Sequence, residues 1–143
     1  MLIEMNVIKA KLRLCKAHDD CDSAEFNLDK SFYDMANNRA YFCMYHAIRA
    51  LMALDGENFK SKISVIWYFK KNYILTGYFD PRMAEMFEIA LKSRLDSDYS
   101  DYYSATKNEA RRNTDNAVFF LDSIENYAAR RINLDFTLPA SPD

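Results

Sequence analysis

Apolar and polar positions alternate along this chain with a period of three to four residues, which is the spacing of one face of an α-helix. The pattern predicts five helices, each with one inward stripe. The stripe of the first helix is Ile3, Val7, Ala10, Leu14, Ala17, Cys21, Ala24 and Leu28. The stripe of the second is Phe32, Met35, Phe42, Cys43, Ala47, Ala50, Leu51 and Leu54. The stripe of the third is Ile63, Ile66, Trp67, Tyr73 and Ile74. The stripe of the fourth is Met83, Met86, Phe87, Ala90, Leu91 and Leu95. The stripe of the fifth is Ala110, Ala117, Leu121, Ile124 and Ala128.

Short polar residues mark where these helices should begin, because their side chains can accept hydrogen bonds from the first free N–H groups. The predicted N-caps are Asp29 or Ser31, Ser61, Asp80 and Thr106. Pro81 suits a first helical position, and Glu109 completes a capping-box pattern with Thr106. We therefore predict an all-α, up-and-down bundle over residues 1–131. The periodicity is lost over residues 132–143, which are expected to form a loosely ordered C-terminal tail.

Composition narrows the choice of fold and location. Two Gly and three Pro among 143 residues are too few for the turns of a sheet protein or for a glycine-rich phosphate loop. The net charge of −2 argues against a broad basic face, although a local basic pocket remains open. No apolar run approaches the length of a membrane span, no signal peptide is evident, and three cysteines suit a reducing compartment. A cytoplasmic protein without membrane contact is expected.

Charged residues interrupt two of the inward stripes, and unpaired buried charge is costly. Arg39 and His46 lie seven residues apart on the second helix. Arg94 and Asp98 lie four apart on the fourth, within ion-pair reach. One interpretation is a structural ion pair and a hydrogen-bonded core histidine. The other is a site where a guanidinium contacts a phosphodiester and a neighbouring group handles protons.

Cys15, His18 and Cys21 lie near one face of the first helix and are candidate metal ligands. Thiolate and imidazole would suit zinc, but a fourth ligand would have to come from elsewhere, and both cysteines also suit the role of small apolar residues. We expect no metal and no cofactor.

Two segments resemble HEPN-domain proteins. The run Asn38–Met52, NRAYFCMYHAIRALM, is similar to the second helix of the small stand-alone branch of that family. Phe59-Lys60-Ser61-Lys62 resembles the next family segment, with Lys62 where a histidine is common. Arg94-x-x-x-Asp98-Tyr99 resembles the family's Arg-x-x-x-Asp-Tyr signature. The likeness extends from the first helix to about Tyr127. It implies a homodimeric helical bundle, often partnered with a minimal nucleotidyltransferase in toxin–antitoxin pairs.

The same resemblance bears on catalysis. Many HEPN proteins are metal-independent RNases that use an arginine followed four to six residues later by a histidine, paired across the dimer. Arg94 matches that arginine, but Asp98, Tyr99, Ser100 and Asp101 occupy the places of the histidine. The catalytic candidates are therefore Arg94, Asp98 and His46. The candidates for binding RNA or nucleotide are Arg39, Arg94 and Tyr99, and those for adenylylation by a partner nucleotidyltransferase are Tyr99, Tyr102 and Tyr103.

Three functions follow from these residues. The favoured one is a non-catalytic or weakly active HEPN module that dimerises, acts with a nucleotidyltransferase partner and binds RNA or a nucleotide. It is favoured because the histidine expected after Arg94 is absent and the net charge is near neutral. In addition, a carboxylate beside a guanidinium is held in its charged form, which suits an ion pair better than a base. The alternatives are an active metal-independent RNase toxin with a cleft at the dimer interface, and a protein-interaction bundle without a nucleic-acid role.

Overall fold

The structure, a computed structural model, describes residues 2–136 and contains five α-helices. They are α1 (Glu4–Asp29), α2 (Tyr33–Leu54), α3 (Lys62–Phe69), α4 (Arg82–Tyr99) and α5 (Lys107–Phe136). A π-helical turn, Lys70–Ile74, continues α3 without a break. The predicted all-α bundle is confirmed, and residues 2–136 include no strand. None of the helices in this range carries an apolar stretch that could cross a bilayer.

Helix α2 is the centre of the bundle, since it packs against each of the other four helices. Small residues make this possible. Ala36, Ala40, Ala47 and Ala50 are fully buried and allow neighbouring backbones to approach closely. Larger buried side chains fill the space between the helices, and Tyr41 is one of the largest of these. Because α2 is covered on so many sides, polar groups along it must find partners on α1, α4 or α5.

The predicted stripes hold along α4 and α5 but fail at three places. Ile3, which precedes the first residue of α1, is 63% exposed. Phe32 and Met35 are exposed, because α2 begins at Tyr33 and turns Ala36 and Asn37 toward the core instead. Ile63 and Trp67 are also exposed, and α3 buries its opposite side. The buried residues of α3 are Val65, Tyr68 and Phe69. The short helix contains apolar residues all round, so periodicity alone could not choose its inward face.

Two of the predicted helix starts are confirmed by their hydrogen bonds. The Oγ of Ser61 accepts from the backbone N–H of Ser64 at 3.1 Å, and the Oγ1 of Thr106 accepts from that of Glu109 at 3.1 Å. At the third start, the carboxylate of Asp80 accepts from the backbone N–H of Arg82 at 2.9 Å, but α4 begins at Arg82 and Pro81 takes the N-cap position, one residue later than predicted.

The start of α2 and the end of α5 differ from the prediction. Neither Asp29 nor Ser31 caps α2; Ser31 has a φ of 65°, a left-handed turn conformation, and Phe32 takes the N-cap position without a side-chain hydrogen bond. Helix α5 continues to Phe136. Residues 137–143 of the predicted tail lie outside the described part of the chain.

Candidate functional site

One face of α2 carries four residues at alternating spacings of three and four: Arg39, Phe42, His46 and Arg49. These spacings place the side chains in one row along the helix. The row is flanked by α1 and by the C-terminal half of α4, which contribute acidic and basic partners. We call this row the α2 polar face.

Arg94 reaches the α2 polar face from α4. Its guanidinium carbon lies 4.9 Å from the centroid of the Phe42 ring and 5.3 Å from that of Tyr41, so the cation lies over two aromatic rings. Its Nε is 3.3 Å from the Oδ2 of Asp98, which confirms that these residues are within ion-pair distance. Only 12% of the side chain is exposed. The Nη1 is buried and has no hydrogen-bond partner among the described residues.

A chain of polar contacts joins Arg94 to the other end of the site. Asn38 donates to Asp98 at 3.1 Å, and its own amide oxygen accepts from the Nε and Nη2 of Arg39 at 2.9 and 2.6 Å. The Nη1 of Arg39 then donates to Asp20 at 2.9 Å. The other carboxylate oxygen of Asp20 lies 3.6 Å from the Nε2 of His46. Arg39 also lies over Phe42, at 5.1 Å from the ring centroid.

His46 is held as a neutral imidazole. Its ring stacks on Phe42 with centroids 6.0 Å apart, and its Nδ1 is buried without a hydrogen-bond partner among residues 2–136. Burial lowers the pKa of His46 to about 4, helped by the positive charges of Lys16, Arg49, Arg39 and Arg13. At neutral pH the ring therefore carries no charge and keeps one nitrogen lone pair free.

Asp20 was missed by the sequence analysis. It is buried on α1, and burial raises its pKa although Arg39 acts in the opposite direction. A signal was present, because Asp20 lies three residues after Ala17 and four before Ala24, within the inward stripe. A buried carboxylate between two basic groups explains why Arg39 and His46 can occupy a core stripe.

Behind the site, three helices are joined by buried amides that the sequence analysis also missed. Asn113 of α5 donates to the amide oxygen of Asn37 of α2 at 2.9 Å, and both residues are fully buried. Asn37 in turn donates to Ser97 of α4 at 3.4 Å. These contacts fix α4 against α2 and so position Arg94 over Phe42.

The structure brings Arg39, His46, Arg94 and Asp98 together around Phe42. The candidate tyrosines lie beyond them, at and after the end of α4. Tyr99 is 71% exposed and Tyr102 is 100% exposed, whereas the Tyr103 hydroxyl is buried without a hydrogen-bond partner in the described region.

The candidate metal ligands of α1 do not form a cluster. Cys15 is exposed, while Cys21 is buried and its thiol donates to Glu25 at 3.6 Å. His18 contacts Glu125 of α5. Within the described residues, no group of three His, Cys, Asp or Glu side chains could hold a metal ion.

This chain belongs to the HEPN domain family, whose model matches residues 10–127. The fold agrees with that of an archaeal HEPN homologue known from its crystal structure, with a TM-score of 0.59 and 16% identity. The similarity covers 84% of this chain and 98% of that one.

Curated relatives resemble the chain over most of its length. A candidate toxin of Methanocaldococcus jannaschii is 28% identical over 112 residues, which cover 78% of this chain and 76% of the relative. A UPF0332 protein of Thermotoga maritima is 23% identical over 110 residues, covering 77% and 83%. A UPF0332 protein of Archaeoglobus fulgidus is 24% identical over 119 residues, covering 81% and 92%.

Proposed function

We propose that this protein is a toxin-like HEPN module that binds RNA at the α2 polar face, as a homodimer acting with a nucleotidyltransferase partner. The observation that carries the proposal is the placement of two guanidinium groups, those of Arg39 and Arg94, over the ring of Phe42. Guanidinium groups bind phosphate, and planar side chains stack on unpaired bases. The toxin-like character is supported by the relative from Methanocaldococcus jannaschii.

Binding is favoured over efficient cleavage by the state of the two proton-handling candidates. Metal-free cleavage of RNA needs a base for the ribose hydroxyl and a cation for the developing negative charge. The carboxylate of Asp98 already accepts from Asn38 and lies beside Arg94. With a pKa of about 4, His46 is neutral at pH 7 but too weak a base to remove a proton efficiently.

The test compares Arg94→Ala with Arg130→Ala, an exposed arginine near the other end of the bundle. Binding of a fluorescent single-stranded RNA to the purified full chain is measured by anisotropy at low salt. We expect Arg94→Ala to weaken binding at least tenfold and to relieve growth arrest on expression, while Arg130→Ala behaves as the wild type. Equal binding and equal toxicity of Arg94→Ala and the wild type would contradict the proposal.

The partnership with a nucleotidyltransferase is supported by the exposed hydroxyls of Tyr99 and Tyr102 near the site. In adenylylation a tyrosine oxygen attacks the α-phosphate of ATP, pyrophosphate leaves and the phenolic proton is released. The chain is co-expressed with a nucleotidyltransferase from a neighbouring reading frame, and intact mass is measured. We expect one added AMP in the wild type and none in Tyr99→Phe/Tyr102→Phe. Tyr78→Phe, an exposed tyrosine elsewhere, should still be modified.

An active RNase is the second candidate, because a neutral imidazole, His46, and the cation of Arg94 both lie against the ring of Phe42. It predicts RNA cleavage in the presence of EDTA that is lost in both His46→Ala and Arg94→Ala. Absence of cleavage by the wild type would reject it. The remaining alternative, an interaction bundle, predicts no binding to RNA or nucleotide even at low salt, where electrostatic contacts are strongest.

A further inference from the structure

Two arginines converge on a single amide oxygen where α1 meets the end of α2. The Nη2 of Arg13 donates to the Oδ1 of Asn58 at 3.0 Å, and the Nη2 of Arg49 donates to the same atom at 2.7 Å. The Nη1 of Arg13 also donates to the backbone carbonyl of Arg49 at 2.8 Å. Both guanidinium groups are thus held in place by neutral acceptors.

This pair of charges has no acidic partner in the part of the chain that the structure describes. Within the described residues, neither Arg13 nor Arg49 has an acidic side chain within the 4.0 Å ion-pair distance. The buried carboxylate of Asp20, also on α1, contacts Arg39 and His46. Burial lowers the pKa of Arg13, and the charge of Arg49 lowers it further. Two cations held together without an anion repel each other, and a bound anion would relieve that repulsion.

An unsatisfied donor of Arg49 also favours a bound anion. The Nε of Arg49 is buried and has no hydrogen-bond partner in the part of the chain that the structure describes. A guanidinium offers five donors, and a phosphate offers several oxygens that accept them in pairs. Buried N–H groups of a cation that lack acceptors are costly, so such groups are expected to find an anionic ligand.

This pair continues the α2 polar face. Arg49 follows His46 in the same row, ten residues after Arg39, and ten helical residues rise about 15 Å. Tyr45 lies between the two ends: its ring centroid is 5.9 Å from the Arg49 guanidinium and 6.0 Å from the Phe42 ring. Cations at both ends with aromatic rings between them form the arrangement that follows an unpaired nucleic-acid strand.

We propose that Arg13 and Arg49, held by Asn58, bind a phosphate group at the far end of the α2 polar face. In the proposed RNA complex, this position takes a backbone phosphate a few nucleotides from the one near Arg94. The inference rests on the proposed function for one point, namely that the bound phosphate belongs to RNA. The same site accepts the phosphate of a free nucleotide, and the experiment separates these two sources.

The variants are chosen so that loss of fold cannot imitate loss of binding. Arg13→Ala/Arg49→Ala removes both cations, and Arg111→Ala removes an exposed arginine of α5 as the control. Asn58→Asp places a carboxylate between the two arginines. It should raise the melting temperature and at the same time weaken phosphate binding, a combination that misfolding does not produce.

Binding of a single-stranded RNA and of AMP to the full chain is measured over a salt series. For RNA as the source, we expect Arg13→Ala/Arg49→Ala and Asn58→Asp to bind RNA at least tenfold more weakly, and Arg111→Ala to bind as the wild type does. The slope of log affinity against log salt should become less steep by roughly 0.7 for each phosphate that the variant no longer neutralises. Weaker AMP binding by the same variants assigns the site to a nucleotide phosphate and equally supports the proposal.

The outcomes separate this inference from the proposed function. If Arg94→Ala loses RNA binding while Arg13→Ala/Arg49→Ala and Asn58→Asp bind RNA and AMP as the wild type does, the phosphate site is wrong and the proposed function stands. If the wild type binds AMP but no RNA, and the AMP binding is lost in these variants, the site stands and the proposed function fails. Binding of neither ligand by the wild type overturns both.

Discussion

Arg94 illustrates how a buried cation can be kept in a helical core. Its charge lies over the rings of Tyr41 and Phe42 and beside Asp98, so part of the desolvation cost is offset by aromatic faces and one carboxylate. Burial raises the pKa of Tyr41, so this phenol stays neutral beside the cation. Arg94 therefore keeps its charge within the packed interior, and its Nη1 donor is unpaired among the described residues.

At the residue scale, we predict how His46 makes the stability of the fold depend on pH. Its pKa is about 4 in the fold and 6.5 ordinarily, so between these values the unfolded chain binds a proton that the folded chain does not. Stability from this group is fully present above pH 6.5 and is lost as pH falls toward 4. For a partly solvated ring we expect a loss of about 1–2 kcal/mol. Urea unfolding of the wild type and His46→Gln across this range measures it.

The control for His46 is His18→Gln, which removes the other histidine from the surface contact with Glu125. His18→Gln should keep the component of the stability loss that comes from His46, whereas His46→Gln should lack it. If the free energy of unfolding depends on pH in the same way for the wild type and His46→Gln, the imidazole is not held neutral by the fold.

At the scale of elements, α2 decides the geometry of the site because each neighbouring helix is fixed against it. Buried amides rather than apolar contacts set its register with α4 and α5. A hydrogen bond between buried amides has a narrow range of distance and direction, and apolar packing tolerates more sliding. The contacts of Asn37 with Ser97 and Asn113 therefore hold the row of α2 opposite Arg94.

Asn113→Ala tests this role of the amides. It leaves the buried oxygen of Asn37 without its donor, which should lower the free energy of unfolding by about 1–3 kcal/mol. Urea denaturation measures the change. Asn108→Ala, at an exposed position of the same helix, should change stability by less than about 0.5 kcal/mol. Equal effects of the two substitutions would mean that the amide pair does not join the helices.

At the scale of the whole molecule, the net charge is −2, but the positive charges are unevenly distributed. The positive charges of Arg13, Lys16, Arg39 and Arg49 all lower the pKa of His46, so four cations of α1 and α2 lie close enough to act on one ring. Overall charge governs solubility, whereas a local concentration of cations governs where an anion binds. The proposed phosphate site depends on this local concentration of cations rather than on the net charge.

For the whole molecule, the exposed apolar side chains lead us to predict a dimer. Ile63 and Leu75 are 81% and 82% exposed, and Ile8 and Leu12 are also exposed on α1. Covering such side chains is favourable, so we expect a particle of about twice 16.8 kDa by sedimentation equilibrium. Ile8→Glu/Leu12→Glu and Ile63→Glu/Leu75→Glu test which patch is the interface. A monomeric wild type at micromolar concentration would contradict the dimer.

Much of the fold could be predicted from the chain because helical periodicity and capping are local properties. Ser61, Asp80 and Thr106 form their predicted hydrogen bonds with neighbours two or three residues away. The inward faces of α4 and α5 follow from spacing alone. The face of α3 could not be predicted, because its apolar residues surround the helix and only packing selects among them.

For the candidate site, too, some features are visible in the sequence and others depend on tertiary packing. The sequence by itself determined which residue types interrupt the stripes, including Arg39, His46, Arg94 and Asp98, because a charge at an inward position is visible in the pattern. Only the tertiary structure decided that they meet around Phe42, that Asp20 joins Arg39 to His46, and that Arg13 and Arg49 share Asn58. Those contacts span different helices, and their geometry depends on how the helices pack rather than on any local preference of the chain.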